Sequence, residues 1–354
     1  MRGLLLFFFL LNLFAQAQNG SSYSYSFLNL TPSARSASLG NNLITVRDGD
    51  ISSSNQNPAS LTADMHNKFS STYQNLFAGI NYGTVNYARN YKSVGTFAAA
   101  MQYANYGTFT LADETSTKQG DFKAADYCLN LSYGKSLDSS FSMGANIKTI
   151  YSSLYTYTSV GLAMDMAATY YNQNKLFTST AIVKNLGAVL KPYSTFSAER
   201  EKLPFEIQLG VSQGLKHIPV RFHFIAQKLN TWNLVKYDSI PNNTSSDIVT
   251  GVTKSKQNLF FNNLGRHFIG AIEINPSKSF ALRVGYDFNK RQELMLKARG
   301  GIVGFSFGFG MKIKKFRLDY GRTQTHLAGA TNLFTLTLNF SDFITNPLRG
   351  TETK

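Results

Sequence analysis

The strongest constraint on this chain is a two-residue alternation, clearest at 332–340, which reads NLFTLTLNF. Phe334, Leu336, Leu338 and Phe340 share one parity; Leu333, Thr335, Thr337 and Asn339 share the other. A β-strand sends successive side chains to opposite faces, so this stretch is a two-faced strand with one fully apolar face. By itself the strand suits a membrane β-barrel, with its apolar parity in lipid, and a soluble sandwich equally well. The rest of the chain must decide between them.

The same pattern recurs from Lys68 onward. The alternation predicts strands near 67–76, 79–91, 94–106, 122–135, 140–153, 157–171, 175–187, 202–216, 219–231, 264–275, 279–290, 300–314, 315–325 and 330–341. That is about fourteen, an even number as in bacterial membrane barrels. Tyr127, Leu129, Leu131 and Tyr133 alternate with Asp126, Cys128, Asn130 and Ser132. Phe280, Leu282, Val284 and Tyr286 alternate with Ala281, Arg283, Gly285 and Asp287. Charges in these segments fall on the inner parity: Asp126, Asp165, Glu206, Arg221, Glu273, Arg283, Asp287, Arg317 and Asp319. A Lys or Arg facing lipid at the midplane would cost roughly 2–4 kcal/mol, which explains the segregation. Both signs are present, so they can pair across a lumen, and inner-face glycines leave room for a filling.

Loop length is an independent test. Connections after even-numbered segments are short, as at 92–93, 136–139, 172–174, 217–218 and 276–278. Several after odd-numbered segments are long: 107–121, 188–201, 232–263 and 291–299. A barrel with both termini in the periplasm needs short turns inside and long loops outside. A sandwich has no reason to sort loops by strand parity. The reading is therefore all-β: a transmembrane antiparallel β-barrel of about fourteen strands with an N-terminal plug-like segment. Tyr103, Tyr106, Tyr151, Tyr155, Tyr170 and Tyr171, near segment ends, are expected in the interfacial aromatic girdles.

The flanking segments fit an exported protein. Residues 1–17 carry Arg2, a short apolar run and Ala15-Gln16-Ala17, which reads as a cleaved signal peptide. Residues 18–66 lack sustained alternation and are rich in small polar residues, which suits a plug; the barrel follows at 67–341 and a periplasmic tail at 342–354. Within the plug stand Ala34, Arg35, Leu39 and Gly40, then the acidic pair Asp48 and Asp50, then Asn57, Pro58 and Ala59. Charged residues are only 16% of the chain, below the usual quarter for soluble domains. The single cysteine, Cys128, excludes an internal disulfide. The net charge of +15 is spread through turns and strands without a stripe, and the signal peptide argues against nucleic acid as partner. Anionic lipid, lipopolysaccharide or an acidic protein suits a basic exported chain better.

Chemistry-bearing motifs are lacking. His66, His217, His223, His267 and His326 show neither metal-ligand spacing nor a cysteine partner, no phosphate loop is present, and the glycines of 304–310, including the string Gly304-Phe305-Ser306-Phe307-Gly308, lie in an alternating strand and not at a nucleophile turn. The chain is read as non-enzymatic and without cofactor, with His267 a rim or lumen hydrogen-bonder. The longest loop opens at the only Trp, Trp232, and continues through Lys236 and Tyr237; it is the candidate partner loop. Arg291 with Lys297 and Arg299 could face lipopolysaccharide phosphates.

Ser24-Tyr25-Ser26-Phe27-Leu28-Asn29-Leu30-Thr31-Pro32-Ser33-Ala34-Arg35, Leu39-Gly40, the element Gln56-Asn57-Pro58-Ala59 and Leu203-Pro204-Phe205-Glu206 resemble a known family. So do the stretch Asn81-Tyr82-Gly83-Thr84-Val85-Asn86-Tyr87 and the closing Thr335-Leu336-Thr337-Leu338-Asn339-Phe340. The chain is similar to the PorQ family, outer-membrane components of the type IX secretion system of the Bacteroidota. PorQ belongs within the wider fatty-acid-transporter-like barrels. The resemblance implies a fourteen-stranded outer-membrane barrel in the cell-surface attachment complex that processes secreted cargo and attaches it to lipopolysaccharide. It implies PorU-like, PorV-like and PorZ-like partners, with the barrel tethering the PorZ-like surface protein. The alternative is an outer-membrane transporter of hydrophobic small molecules, suggested by the shared Asn-Pro-Ala element and the plug.

Overall fold

The computed structural model describes residues 23–172, 176–194, 201–234, 256–294, 302–326 and 329–343. The signal-peptide reading of 1–17, most of the tail from 342 onward, and Lys236, Tyr237, Lys297 and Arg299 fall outside them.

Fourteen strands follow one another around a closed barrel. They are β1 (Lys68–Asn75), β2 (Asn81–Tyr91), β3 (Gly95–Ala112), β4 (Lys118–Ser136), β5 (Phe141–Leu154), β6 (Tyr157–Tyr171) and β7 (Phe177–Lys191). Then come β8 (Glu206–Gly214), β9 (Val220–Ala226), β10 (Phe268–Ser277), β11 (Phe280–Asp287), β12 (Phe305–Ile313), β13 (Phe316–His326) and β14 (Gly329–Asn339). The opening alternation belongs to the closing strand. β14 pairs antiparallel with β1, Thr335 opposite Thr72 and Phe334 opposite Tyr73, so no sheet edge remains open.

The two parities sort as the alternation requires. Leu131, Ile147, Leu209, Val284 and Phe334 stand exposed on the outside, while Asn130, Asn146, Gln208, Arg283 and Thr335 are buried inside. An apolar exterior around a closed ladder is the arrangement a β-structure needs to satisfy its backbone in lipid. No helix among the described residues is long and apolar enough to cross a membrane; the strands do the spanning.

The long-loop end is more ordered than loop length suggests. The expected loop 107–121 is mostly strand, because β3 and β4 run on as a twisted hairpin past a register shift near Asn105 and Thr108. Phe109 and Phe122 stack across it at 5.3 Å. Two helices also occupy this end: α2 (Lys256–Arg266), leading into β10, and α3 (Phe288–Leu294), following β11. The expected strand 279–290 stops at Asp287, whose carboxylate accepts from the N–H groups of Asn289 (2.9 Å) and Lys290 (3.2 Å) and so starts α3.

The N-terminal segment threads the lumen from one end to the other. At the long-loop end the Tyr25 hydroxyl donates to Ser159 Oγ (2.5 Å), whose own proton goes to Lys191 O (2.7 Å). At the short-turn end Lys68 Nζ donates to Gly49 O (2.8 Å). Between them lie a short helix, α1 (Ala34–Ser38), and 3₁₀ turns at Ile51–Asn55, Pro58–Ser60 and Ala63–Met65, nearly all buried. Wall glycines bear the imprint of this filling. A Cβ on Gly144 would overlap the Pro58–Ala59 backbone, and one on Gly321 would overlap Ala34.

Candidate functional site: a latched lumen and an aromatic rim

The plug motif residues owe their identity to local backbone chemistry. Ser33 Oγ accepts from Ser36 N (3.2 Å) and caps the short helix, while its Ala34 N–H donates to Thr335 Oγ1 on the wall (2.9 Å). Leu39 is fully buried with Leu43, Val46 and Ala271. Gly40 ends the helix at φ +86°, where a side chain would be strained and would also strike Ile269. Asn57 Oδ1 accepts from Ala59 N (2.9 Å), closing the Pro58–Ser60 turn. Asn57 Nδ2 donates to Ile44 O (2.7 Å) and Thr169 Oγ1 (3.2 Å). Pro58 opens that turn, where its missing N–H costs nothing. The small Ala59 packs against Ile44, Ala167, Ile182, Ile225 and Ile269. Asn57-Pro58-Ala59 is therefore a turn that binds two plug segments together and to β6.

Arg35 is the centre of an ion-pair chain. Its guanidinium donates to Asp48 Oδ2 (2.7 Å), Asp50 Oδ2 (3.1 Å) and both oxygens of Glu273, at 3.1 and 2.8 Å. Glu273 also accepts from Arg283 Nε (2.7 Å), and Arg283 Nη1 donates to Asp319 Oδ1 (2.6 Å). Arg317 Nε reaches Asp319 Oδ2 at 2.9 Å and completes the chain. Register explains the grouping: Glu273 lies opposite Arg283 on β10 and β11, and Asp319 opposite Gly310 on the intervening β12. Fork-shaped guanidiniums shared between carboxylates satisfy charges that would be costly unpaired in such a buried place.

The remaining predicted lumen charges have other partners. Asp165 pairs with Lys148 Nζ at 2.7 Å, both almost fully buried, and accepts from Asn146 Nδ2 (3.0 Å) and Asn185 N (2.8 Å). Lys148, on the inner parity of Asn146 and Ile150, and Lys184, on that of Ile182, are further buried lumen charges. Asp126 is held by the hydroxyls of Tyr106 (2.6 Å) and Ser152 rather than by a cation. Arg221 donates to Ser212 Oγ (3.1 Å) near the short-turn end. Glu206 sits at the long-loop rim, accepting from Lys228 N (3.0 Å), and Asp287 caps α3. Those two expectations of cross-lumen pairing are thus replaced by local backbone bonds at the ends of strands.

Above the latch the lumen turns apolar. Tyr25, Phe27 and Leu28 of the N-terminal segment fill a compartment walled by Tyr82, Ala104, Cys128, Ile150, Ala163 and Leu203. Tyr106 borders this compartment, and Tyr171 is buried at the opposite end beneath Arg47, whose guanidinium lies 4.2 Å from the ring centre. Neither belongs to the outer girdles, where residue type alone would put them. Adjacent Tyr170 and Tyr171 cannot face the same way, and only Tyr170 is exposed.

At the long-loop rim, Trp232 is half exposed and stacks on His267 (5.5 Å) and against Phe260 (5.5 Å) of α2. His267 is buried between the carbonyls of Gln227 (2.9 Å) and Trp232 (3.3 Å), a hydrogen-bonding pin for the rim. α2 turns its polar Asn263 inward, where it accepts from Leu234 N (2.9 Å), and leaves Phe260 and Phe261 exposed at 49% and 62%. The alternation signals no helix there, so this exposed pair is visible only in the fold. Among the described residues no group of His, Cys, Asp and Glu could hold a metal ion.

No protein-family model and no curated protein sequence matches the chain. Among solved structures, the Ralstonia pickettii toluene transporter TbuX aligns with a TM-score of 0.51 at 9% identity, over 88% of this chain and 99% of that one. The CymD monoaromatic hydrocarbon channel aligns with a TM-score of 0.49 at 10% identity, covering 88% and 97%. A Pseudomonas aeruginosa FadL homologue aligns with a TM-score of 0.47 at 10% identity, covering 88% and 98%. At such identities the likeness to TbuX concerns the fold alone: the chain is a plugged, membrane-spanning β-barrel that matches that transporter over nearly its whole length.

Proposed function

We propose that this chain is a non-enzymatic outer-membrane barrel that anchors a surface protein through its long-loop end. In this reading it is a PorQ-like component of a type IX secretion system, holding a PorZ-like partner beside PorU-like and PorV-like proteins at the lipopolysaccharide surface. The observation that carries it is the combination of a latched lumen with an outward-facing aromatic rim. Residues 23–66 occupy the interior, and Arg35 ties them to Glu273. Trp232, Phe260 and Phe261 instead present exposed rings, and aromatic residues are enriched in protein interfaces.

A second reading, an outer-membrane transporter of hydrophobic small molecules, is supported by the fold shared with TbuX and by the apolar compartment around Tyr25 and Phe27. The two readings separate in one experiment. Mild-detergent purification with mass spectrometry compares wild type with a Trp232→Ala, Phe260→Ala, Phe261→Ala variant. Anchoring requires recovery of a PorZ-like protein from wild type and its loss from the variant, with the barrel intact. If the variant keeps every partner, rim docking fails. If toluene uptake by vesicles bearing the barrel exceeds that of protein-free vesicles, transport is favoured.

A further inference from the structure

Gly270 has no packing reason to be glycine. Among the described strand glycines outside the positive-φ region, it alone would carry a Cβ with no atom within 4 Å. The others press against the plug or a neighbouring strand. Glycine weakens a strand interior and often marks a bulge, a bend or a close approach to the backbone; the ladder is in regular register on both sides of Gly270, which leaves a close approach.

Its surroundings form a site. Gly270 shares parity with the exposed Ile272, so it opens on the lipid face. Register sets Phe224 of β9 on one side of it and Tyr286 of β11 on the other. Phe224 is held by stacking on Phe268 at 4.8 Å, and the groove runs on past Ile272 to Val211 of β8 and Phe177 of β7. Tyr286 is braced by Phe305 at 4.7 Å, so both walls are held by ring contacts. The groove is open along its length and has a volume of about 590 Å³. Its walls are almost wholly carbon, and it opens away from the lumen.

We propose that this groove is a seat for one acyl chain of a membrane lipid. The occupant follows from the location. A groove on the exterior of a closed barrel, continuous with the apolar belt, opens to bilayer lipid and to nothing aqueous. The lack of polar walls excludes a ligand recognised by its headgroup within the groove. Rigid aromatic walls around a bare backbone favour a slender chain over a branched side chain from a neighbouring protein.

The test uses the full mature barrel in nanodiscs of phosphatidylethanolamine and phosphatidylglycerol. Native mass spectrometry after detergent release should find one retained lipid on wild type. Gly270→Phe should reduce that fraction at least tenfold, while Met143→Phe on the distant β5 face should leave it unchanged. Equal retention by wild type and Gly270→Phe, both heat-modifiable on gels, overturns the proposal. A second measurement leaves Gly270 in place. In a Trp232→Phe background, Phe224→Trp is quenched by brominated acyl chains. A seated chain keeps the quenching after dilution into unbrominated detergent. Loss as fast as for Phe97→Trp on β3 means bulk lipid only and sinks the idea.

Discussion

Arg35 and Glu273 stand 238 positions apart and meet through two parallel hydrogen bonds, at 3.1 and 2.8 Å, that fasten the plug to β10. Side chains of both are nearly inaccessible, so neither charge has water to fall back on. Breaking a buried pair from one side costs about 3–5 kcal/mol.

Arg35→Ala leaves Asp48, Asp50 and Glu273 without their shared cation. The plug should loosen while the ladder stays closed. Planar-bilayer recordings should show wild type closed and Arg35→Ala with frequent openings. A variant as silent as wild type would mean that side-chain packing alone holds the plug.

Lys148 and Asp165 form a separate buried pair in the wall. Lys148→Met alone should destabilise the barrel by about 3–5 kcal/mol, because Asp165 is left charged and unpaired. Lys148→Met with Asp165→Leu should recover most of that loss, since two apolar groups replace both charges. Urea unfolding of the barrel in detergent, followed by intrinsic fluorescence, gives the comparison. Equal losses in the single and double variants would refute the pairing argument.

Cys128 is the only cysteine and is fully buried beside Tyr25, Phe27 and Leu28. A water-soluble maleimide should label it very slowly in the native barrel, because only an exposed thiolate reacts. Phe27→Ala opens the compartment and should speed labelling at least tenfold without changing the circular dichroism spectrum. Unchanged labelling would show that the N-terminal segment does not shield the thiol.

Asp113 ties the tip of the β3–β4 hairpin. Its carboxylate accepts from Thr115 Oγ1 (2.6 Å) and from the N–H groups of Thr115 and Thr117, both at 2.9 Å. These bonds, first that from the Thr115 hydroxyl, lower its pKa below the ordinary aspartate value. A depressed folded pKa means that the ordering is fully present above the ordinary value and is lost as pH falls through the lowered one. Amide exchange at Thr115 and Thr117 should therefore stay slow at neutral pH and accelerate, beyond the intrinsic pH trend, only in acid. Asp113→Asn should remove that acid transition; an unchanged profile would place the proton elsewhere.

Much of the architecture was legible because alternation is a local property. Parity in segments such as Phe334–Phe340 says which side chains face lipid, whatever their partners turn out to be. Loop lengths gave the two ends, although 107–121 proved to be a hairpin, because register and twist carried pairing past the barrel proper. The plug was legible as a break in alternation, and Asn57-Pro58-Ala59 as a turn. α2 and α3 leave no mark on the alternation: Asp287 starts a helix where the pattern continues as strand. Tyr106 and Tyr171 face inward because parity, and not residue type, sets the side of a strand.

By itself, the sequence determined the strand count, the two faces and the presence of a filling, since each depends on residues close together in the chain. Only the tertiary structure decided which charges meet. Arg35 finds Asp48, Asp50 and Glu273 through the path of the plug and the stagger of a closed sheet. Gly270 becomes a notch only once β9 and β11 set rings on either side of it. Such relations belong to the relative placement of distant segments, which no local pattern encodes.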